Sequence, residues 1–77
     1  MYDNSIVEFW RTKNRYKVLN INSKMKHPET GDWIPAVIYQ EYKVLDKTGE
    51  YIETTNGQVY VREKTDFINK FSLVLDL

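Results

Sequence analysis

The chain has 77 residues, 14% of them aromatic, and its eleven basic and eleven acidic side chains cancel. At this length a single domain over residues 1–77 is expected, and folding hides only about 60% of the surface that the unfolded chain exposes. Cysteine is absent, which excludes a disulfide framework and a thiolate zinc site, so aromatic packing or oligomerisation has to supplement a small core. No basic n-region followed by an apolar run opens the chain, and no apolar run approaches the roughly 18 residues that a bilayer crossing needs. A cytoplasmic protein without membrane contact is the expectation.

The periodicity is mostly that of strands. Ile6-Val7-Glu8-Phe9-Trp10 is β-branched and aromatic, and Thr12-Lys13-Asn14-Arg15 can turn it into a second strand from Tyr16 to about Met25. In His27-Pro28-Glu29-Thr30-Gly31, proline presets φ early in a turn and glycine can take the positive φ that closes a short hairpin loop. A long third strand follows from Trp33 to about Leu45, with Ile34, Ala36 and Ile38 on one face and Trp33, Val37 and Tyr39 on the other. Both faces are expected to be covered at its start. Pro35 has no N–H to donate, which suits an edge or a bulge. Asp46-Lys47-Thr48-Gly49 reads as a turn and Asn56-Gly57 as a hairpin, bounding strands over Glu50 to Thr54 and Gln58 to Arg62.

After Arg62 the pattern changes. Thr65 can cap the amides opening a short helix, and Asp66 and Lys70 suit its positive and negative ends. Phe67, Ile68 and Phe71 recur at helical spacing, so this helix is expected to plug one end of the sheet. Ser72 to Leu77 alternates weakly and can return as a final edge strand. The fold class that follows is mainly β with one short C-terminal helix, as a small five- or six-stranded antiparallel barrel or strongly bent sheet.

Several of these segments, in this order, form a recognisable pattern. Tyr16-Lys17-Val18, His27-Pro28-Glu29-Thr30, Val37-Ile38-Tyr39, Val61-Arg62 and Phe67 give Tyr-x-Val, His-x-Glu-Thr, Val-x-Tyr, Val-Arg and a following Phe. This resembles a small uncharacterised domain family of bacteria and phages, over about two-thirds of the chain. Trp33 before the third strand and Arg62-Glu63-Lys64 leading to Phe67 and Phe71 look more like the short phage and prophage proteins. The chain departs from the family in having Arg15 where glycine often precedes the Tyr-x-Val strand, and Glu63 where proline often follows Val-Arg. The resemblance implies a compact β domain in a phage or mobile-element setting and implies no reaction.

The residues themselves argue against catalysis. His27 is the sole histidine, beside Pro28 in a turn with no nucleophile nearby in sequence, and it is better read as bonding its own turn. His27, Glu29 and Asp32 lack the ligand alternation of a calcium loop and the ligand number of a zinc site, so no metal is expected. No serine sits in a nucleophile elbow, and all three glycines are turn residues rather than a phosphate loop. No cofactor and no enzyme activity are expected.

Binding has better support. If Val59 and Val61 face the core, then Tyr60 and Arg62 share the opposite face and, with Trp33 and Tyr39 on the neighbouring strand, can hold a planar anionic group. The plainer alternative makes Tyr60 a cross-strand packing residue and pairs Arg62 with Glu41 or Glu63. A second reading uses the acid-free segment Arg11, Lys13, Arg15, Lys17, Lys24 and Lys26 as a positive end for nucleic acid, with Trp10 and Tyr16 stacking on bases. Its alternative is a solvated hairpin whose lysines guard an edge. The reading taken is a small phage or mobile-element binding protein, non-enzymatic and acting in the host-cell cytoplasm. As a counter-defence or host-takeover factor it would mask a host protein or sequester a nucleotide-like signal. The alternatives are a nucleic-acid accessory protein and a structural assembly subunit. A homodimer is expected over a monomer, by edge pairing or an exposed aromatic face.

Overall fold

The computed structural model describes residues 1–44, 51–53 and 57–76. Six strands and one helix follow in the order β1 (Ile6–Phe9), β2 (Arg15–Lys26), β3 (Trp33–Val44), β4 (Tyr51–Glu53), β5 (Val59–Glu63), α1 (Lys64–Lys70) and β6 (Phe71–Leu75). All strand pairing is antiparallel. β6 pairs with β1, β1 with β2 and β2 with β3, and β3 carries both β5 and β4.

Turn chemistry sets the first two hairpins. Lys13, with a positive φ of 64°, closes the loop after β1, where its amide donates to the Phe9 carbonyl and the Phe9 amide donates to Asn14. At the second hairpin the His27 amide donates to the Asp32 carbonyl and the Gly31 amide to the His27 carbonyl, with Gly31 at φ 74°. Positive φ there is the conformation that glycine reaches without a Cβ penalty. His27 Nδ1 accepts the Glu29 amide at 3.1 Å, so one ring nitrogen bonds its own turn.

The fold is the strongly bent sheet rather than a closed barrel. β3 and β6 are three positions apart in the sheet, about 14 Å if it were flat. Yet the Tyr39 and Phe71 rings are 5.1 Å apart, and the Arg62 guanidinium of β5 lies 5.4 Å from the Phe9 ring of β1. The sheet therefore curls around one face. Register shifts supply part of the curl, between Ile6 and Val7 against β6 and between Val18 and Ser23 against β3. The core inside it is Val7, Val18, Val37, Tyr39, Phe67 and Phe71, flanked by Met1, Phe9, Tyr16 and Ile21. Phe67 from α1 is fully buried and stacks on Phe71 at 4.3 Å, plugging the sheet as its spacing predicts.

Four local expectations are corrected. The segments either side of Asn56-Gly57 do not pair with each other: Tyr51–Glu53 lies against Val44 to Tyr42, and Val59–Glu63 against Gln40 to Ala36. Both run along β3, one after the other, so they are not the two strands of one hairpin. The turn over 46–49 and residue Asn56 lie outside the described residues. Thr65 does not cap α1, because the strand runs directly into the helix and Glu63, extended at φ −57° and ψ 136°, holds the cap position without a side-chain bond. Ile68 is half exposed, so the helix buries Phe67 and delivers Phe71 but does not turn Ile68 inward. The start of β3 is not covered on both faces either. Trp33 is 65% exposed, and only Ala36 and Val37, in the middle of the strand, are buried on opposite faces. Pro35 lies one residue before β5 begins to pair, where a missing donor costs nothing.

Candidate binding surface

Strand register brings three of the four expected ligand residues together. Tyr39 and Tyr60 are direct partners across β3 and β5, with rings stacked at 5.4 Å, and Val37 is opposite Arg62. The Arg62 Nε donates to the Tyr39 hydroxyl at 3.2 Å, and its Nη1 donates to Asp66 at 2.8 Å. Trp33 stands apart. Six residues before Tyr39 on the same strand, it is roughly 20 Å away along β3, with the Lys26 ammonium 5.4 Å from its ring.

The orientation of β5 is opposite to the expectation. Tyr60 and Arg62 face the inside of the curl, while Val59 and Val61 are 48% and 51% exposed on the outer face. The reason is register. Tyr39 is buried among Phe67, Phe71 and Tyr16, and whatever stands opposite it on β5 shares its face. The inner face is thus a continuous aromatic cluster, with Tyr16 set edge-on to Tyr39, Tyr60 and Phe71.

Arg62 is built into that cluster. Its guanidinium lies 5.4 Å from both the Phe9 and Phe71 ring centroids, and its carboxylate partner is Asp66, four residues on in α1, rather than Glu41 or Glu63. Burial works against its charge, yet the hydrogen bonds to Tyr39 and Asp66 outweigh burial and hold its pKa above the ordinary value. Lys70 also reaches Asp66 at 2.9 Å, and first Lys70 and then Arg62 hold that carboxyl below its ordinary range. The i,i+4 spacing of Arg62, Asp66 and Lys70 was the available signal for this chain of charges.

The basic segment does not form one positive end. Arg11 and Lys13 are exposed in the loop between β1 and β2, while Lys24 and Lys26 lie at the far end of β2, roughly 35 Å away along the strand. Arg15 approaches Glu8 at 3.8 Å, and Lys17 lies mid-sheet opposite Ile6 and Gln40. Of the two expected stacking residues, Trp10 is 52% exposed, with Arg11 over its ring at 5.2 Å. Tyr16 belongs to the aromatic cluster, where burial pushes its hydroxyl above the ordinary value, against an Asn14 hydrogen bond and with help from Tyr60, Tyr39 and Glu41.

Two further surfaces were not singled out by sequence. Val61 pairs with Ile38 across the outer face of the sheet, and Val59 with Gln40, giving a small apolar patch beside an edge to which no further strand pairs among the described residues. On the helix side, Met1, Tyr2, Ile21, Asn22, Lys64 and Ile68 line an open groove of about 380 Å³, where Lys64 donates to the Asn22 side chain at 3.1 Å. Among the described residues no helix is long and apolar enough to cross a membrane, and no three His, Asp or Glu side chains converge as metal ligands would. No family model, no curated protein and no solved structure matches the chain.

Proposed function

We propose that this chain is a non-enzymatic binding module of a phage or other mobile element that works in the host cytoplasm by occupancy, covering a surface of a host protein. The observation that supports this reading is the outer face of β5. Val59 and Val61 are each about half exposed, and Ile38 adjoins Val61 across the strands. Contiguous exposed β-branched side chains favour an apolar protein partner.

The competing binding modes have less support. A nucleotide-like ligand held by Trp33, Tyr39, Tyr60 and Arg62 would have to displace the Tyr39 and Asp66 bonds of Arg62, and would find Trp33 out of reach. A nucleic acid tracking the bases of β2 would meet two separated clusters rather than a continuous stripe.

The test is affinity capture from host lysate with the wild type and with Val59→Lys/Val61→Lys, whose exposed positions leave the core untouched. The expected result is a stoichiometric protein partner that survives a high-salt wash, is lost with the double variant, and is accompanied by no ultraviolet-absorbing molecule on denaturation. Recovery of a nucleotide from denatured protein, or capture unaffected by the two lysines, overturns the reading.

A further inference from the structure

β6 is an edge strand without the devices that usually keep edges apart. It pairs with β1 on one side, and among the described residues nothing pairs with its other side. A row of its backbone N–H and C=O groups is therefore left for another strand. Phe71–Leu75 reads Phe-Ser-Leu-Val-Leu, with no charge, proline or glycine. Leu73, Val74 and Leu75, which alternate between its two faces, are all between 39% and 47% exposed.

We propose that β6 pairs antiparallel with β6 of a second copy of this chain, about a two-fold axis at Leu73, so that two sheets become one. In that register the sequence complements itself. Leu73 meets its own counterpart, Phe71 lies opposite Leu75 and Ser72 opposite Val74, while Lys70, the last residue of α1, and Asp76, just past β6, flank the ladder at the same end. Each end of the pair then brings a base near an acid, whereas parallel pairing brings Lys70 near Lys70 and Asp76 near Asp76. Moving the axis to Val74 puts Asp76 opposite Ser72 and forgoes the charge match. The other open edge, β5, fits itself less well, because an axis at Val61 sets Val59 against the carboxylate of Glu63.

Lys70 already meets Asp66, and Asp76 accepts a hydrogen bond from Ser5, so the charge match selects the register more than it adds affinity. A five-residue edge is smaller than a standard interface, so the dimer is concentration-dependent. The pairing stands without any partner on the outer face of β5. If both hold, the dimer carries two such faces at the far ends of one sheet.

The chain has no cysteine, so a single introduced one reports the register. Facing Cα atoms at the axis of an antiparallel pair are about 4.5–5.5 Å apart, within disulfide range. Sedimentation of the wild type up to on the order of 100 μM is expected to show a monomer–dimer equilibrium. Under mild oxidation Leu73→Cys is expected to form a covalent dimer, whereas Val74→Cys, facing Ser72, and Val61→Cys on β5 are not. Asp76→Asn, which keeps an acceptor for Ser5, is expected to weaken association by up to about tenfold over its two symmetric pairs, and only at low salt. A wild type that remains monomeric throughout overturns the proposal whatever the variants do. A dimer that is cross-linked through Val61→Cys or Val74→Cys and not through Leu73→Cys overturns it equally.

Discussion

Replacing Arg62 with alanine tests whether this residue supports the fold or waits for a ligand. Its Nε holds the hydroxyl of Tyr39, a side chain only 4% exposed, and leaving a buried hydroxyl unpaired costs about 1–3 kcal/mol. The pair with Asp66 is about a third exposed on both sides, so it contributes no more than about 1 kcal/mol. Loss of the guanidinium from the Phe9 and Phe71 rings adds about 0.5–1 kcal/mol. Water entering the vacated volume relieves part of the first cost, which leaves about 2–3 kcal/mol, or a fall of at least about 10 °C in Tm for a domain of this size. Thermal melting by circular dichroism reads this directly. A sharper control is Tyr39→Phe combined with Arg62→Ala: with no hydroxyl left to orphan, the double variant should be more stable than Arg62→Ala alone, by about 1 kcal/mol. An Arg62→Ala protein melting within about 2 °C of wild type refutes the structural role and returns Arg62 to the list of ligand groups.

Phe67→Ala should cost about 3–5 kcal/mol and abolish the cooperative melt, because Phe67 is fully buried against Phe71 and Tyr39, whereas Phe67→Leu should keep a lower melt; equal behaviour of the two contradicts the plug. Gly31→Ala should lower stability by about 1 kcal/mol through its positive φ alone, since a Cβ there meets nothing within 4 Å, and Gly31→Asn should lower it less. The depressed Asp66 carboxyl contributes stability that is present above its ordinary 3.8 and lost as pH falls through the lower folded value, so Asp66→Asn should flatten the acid limb of Tm against pH. At the alkaline side the sign reverses. Tyr16 is raised above 10.0, so its contribution is full below pH 10.0 and fades as pH rises through the folded value, and Tyr16→Phe should melt less steeply with pH there.

Much of the fold was legible because local signals and tertiary demands agree. The β-branched runs, the Pro28 to Gly31 turn and the Phe67, Phe71 spacing each specify one conformation, and α1 with β6 follows from them. The failures lie where two local readings compete. Asn56-Gly57 has strong turn chemistry, but the long β3 offers twelve residues of edge, and both flanking strands find more partners along it than with each other. Thr65 is a sound cap residue, yet Phe67 has to reach a core that lies directly beneath the end of β5. The helix therefore starts at Lys64, without a loop to host a cap.

The candidate site was half legible for the same reason. Sequence order identified Tyr39, Tyr60 and Arg62 as neighbours, since antiparallel strands of alternating residues bring them to one face whichever way it points. It did not decide inside from outside, because Val-Tyr-Val-Arg is apolar enough on either phase to bury. That choice is made at a distance, by Tyr39, which is committed to the buried Phe67 and Phe71 of the plug. Once Tyr39 is inside, Tyr60 and Arg62 follow it and the valines are expelled. Of the side chains that suggested a ligand site, Tyr39 is buried in the core, Arg62 and the partly exposed Tyr60 stand on the same inner face, and Trp33 stays exposed, while the outer face of β5 carries the valines that hydrophobic periodicity assigns to the interior.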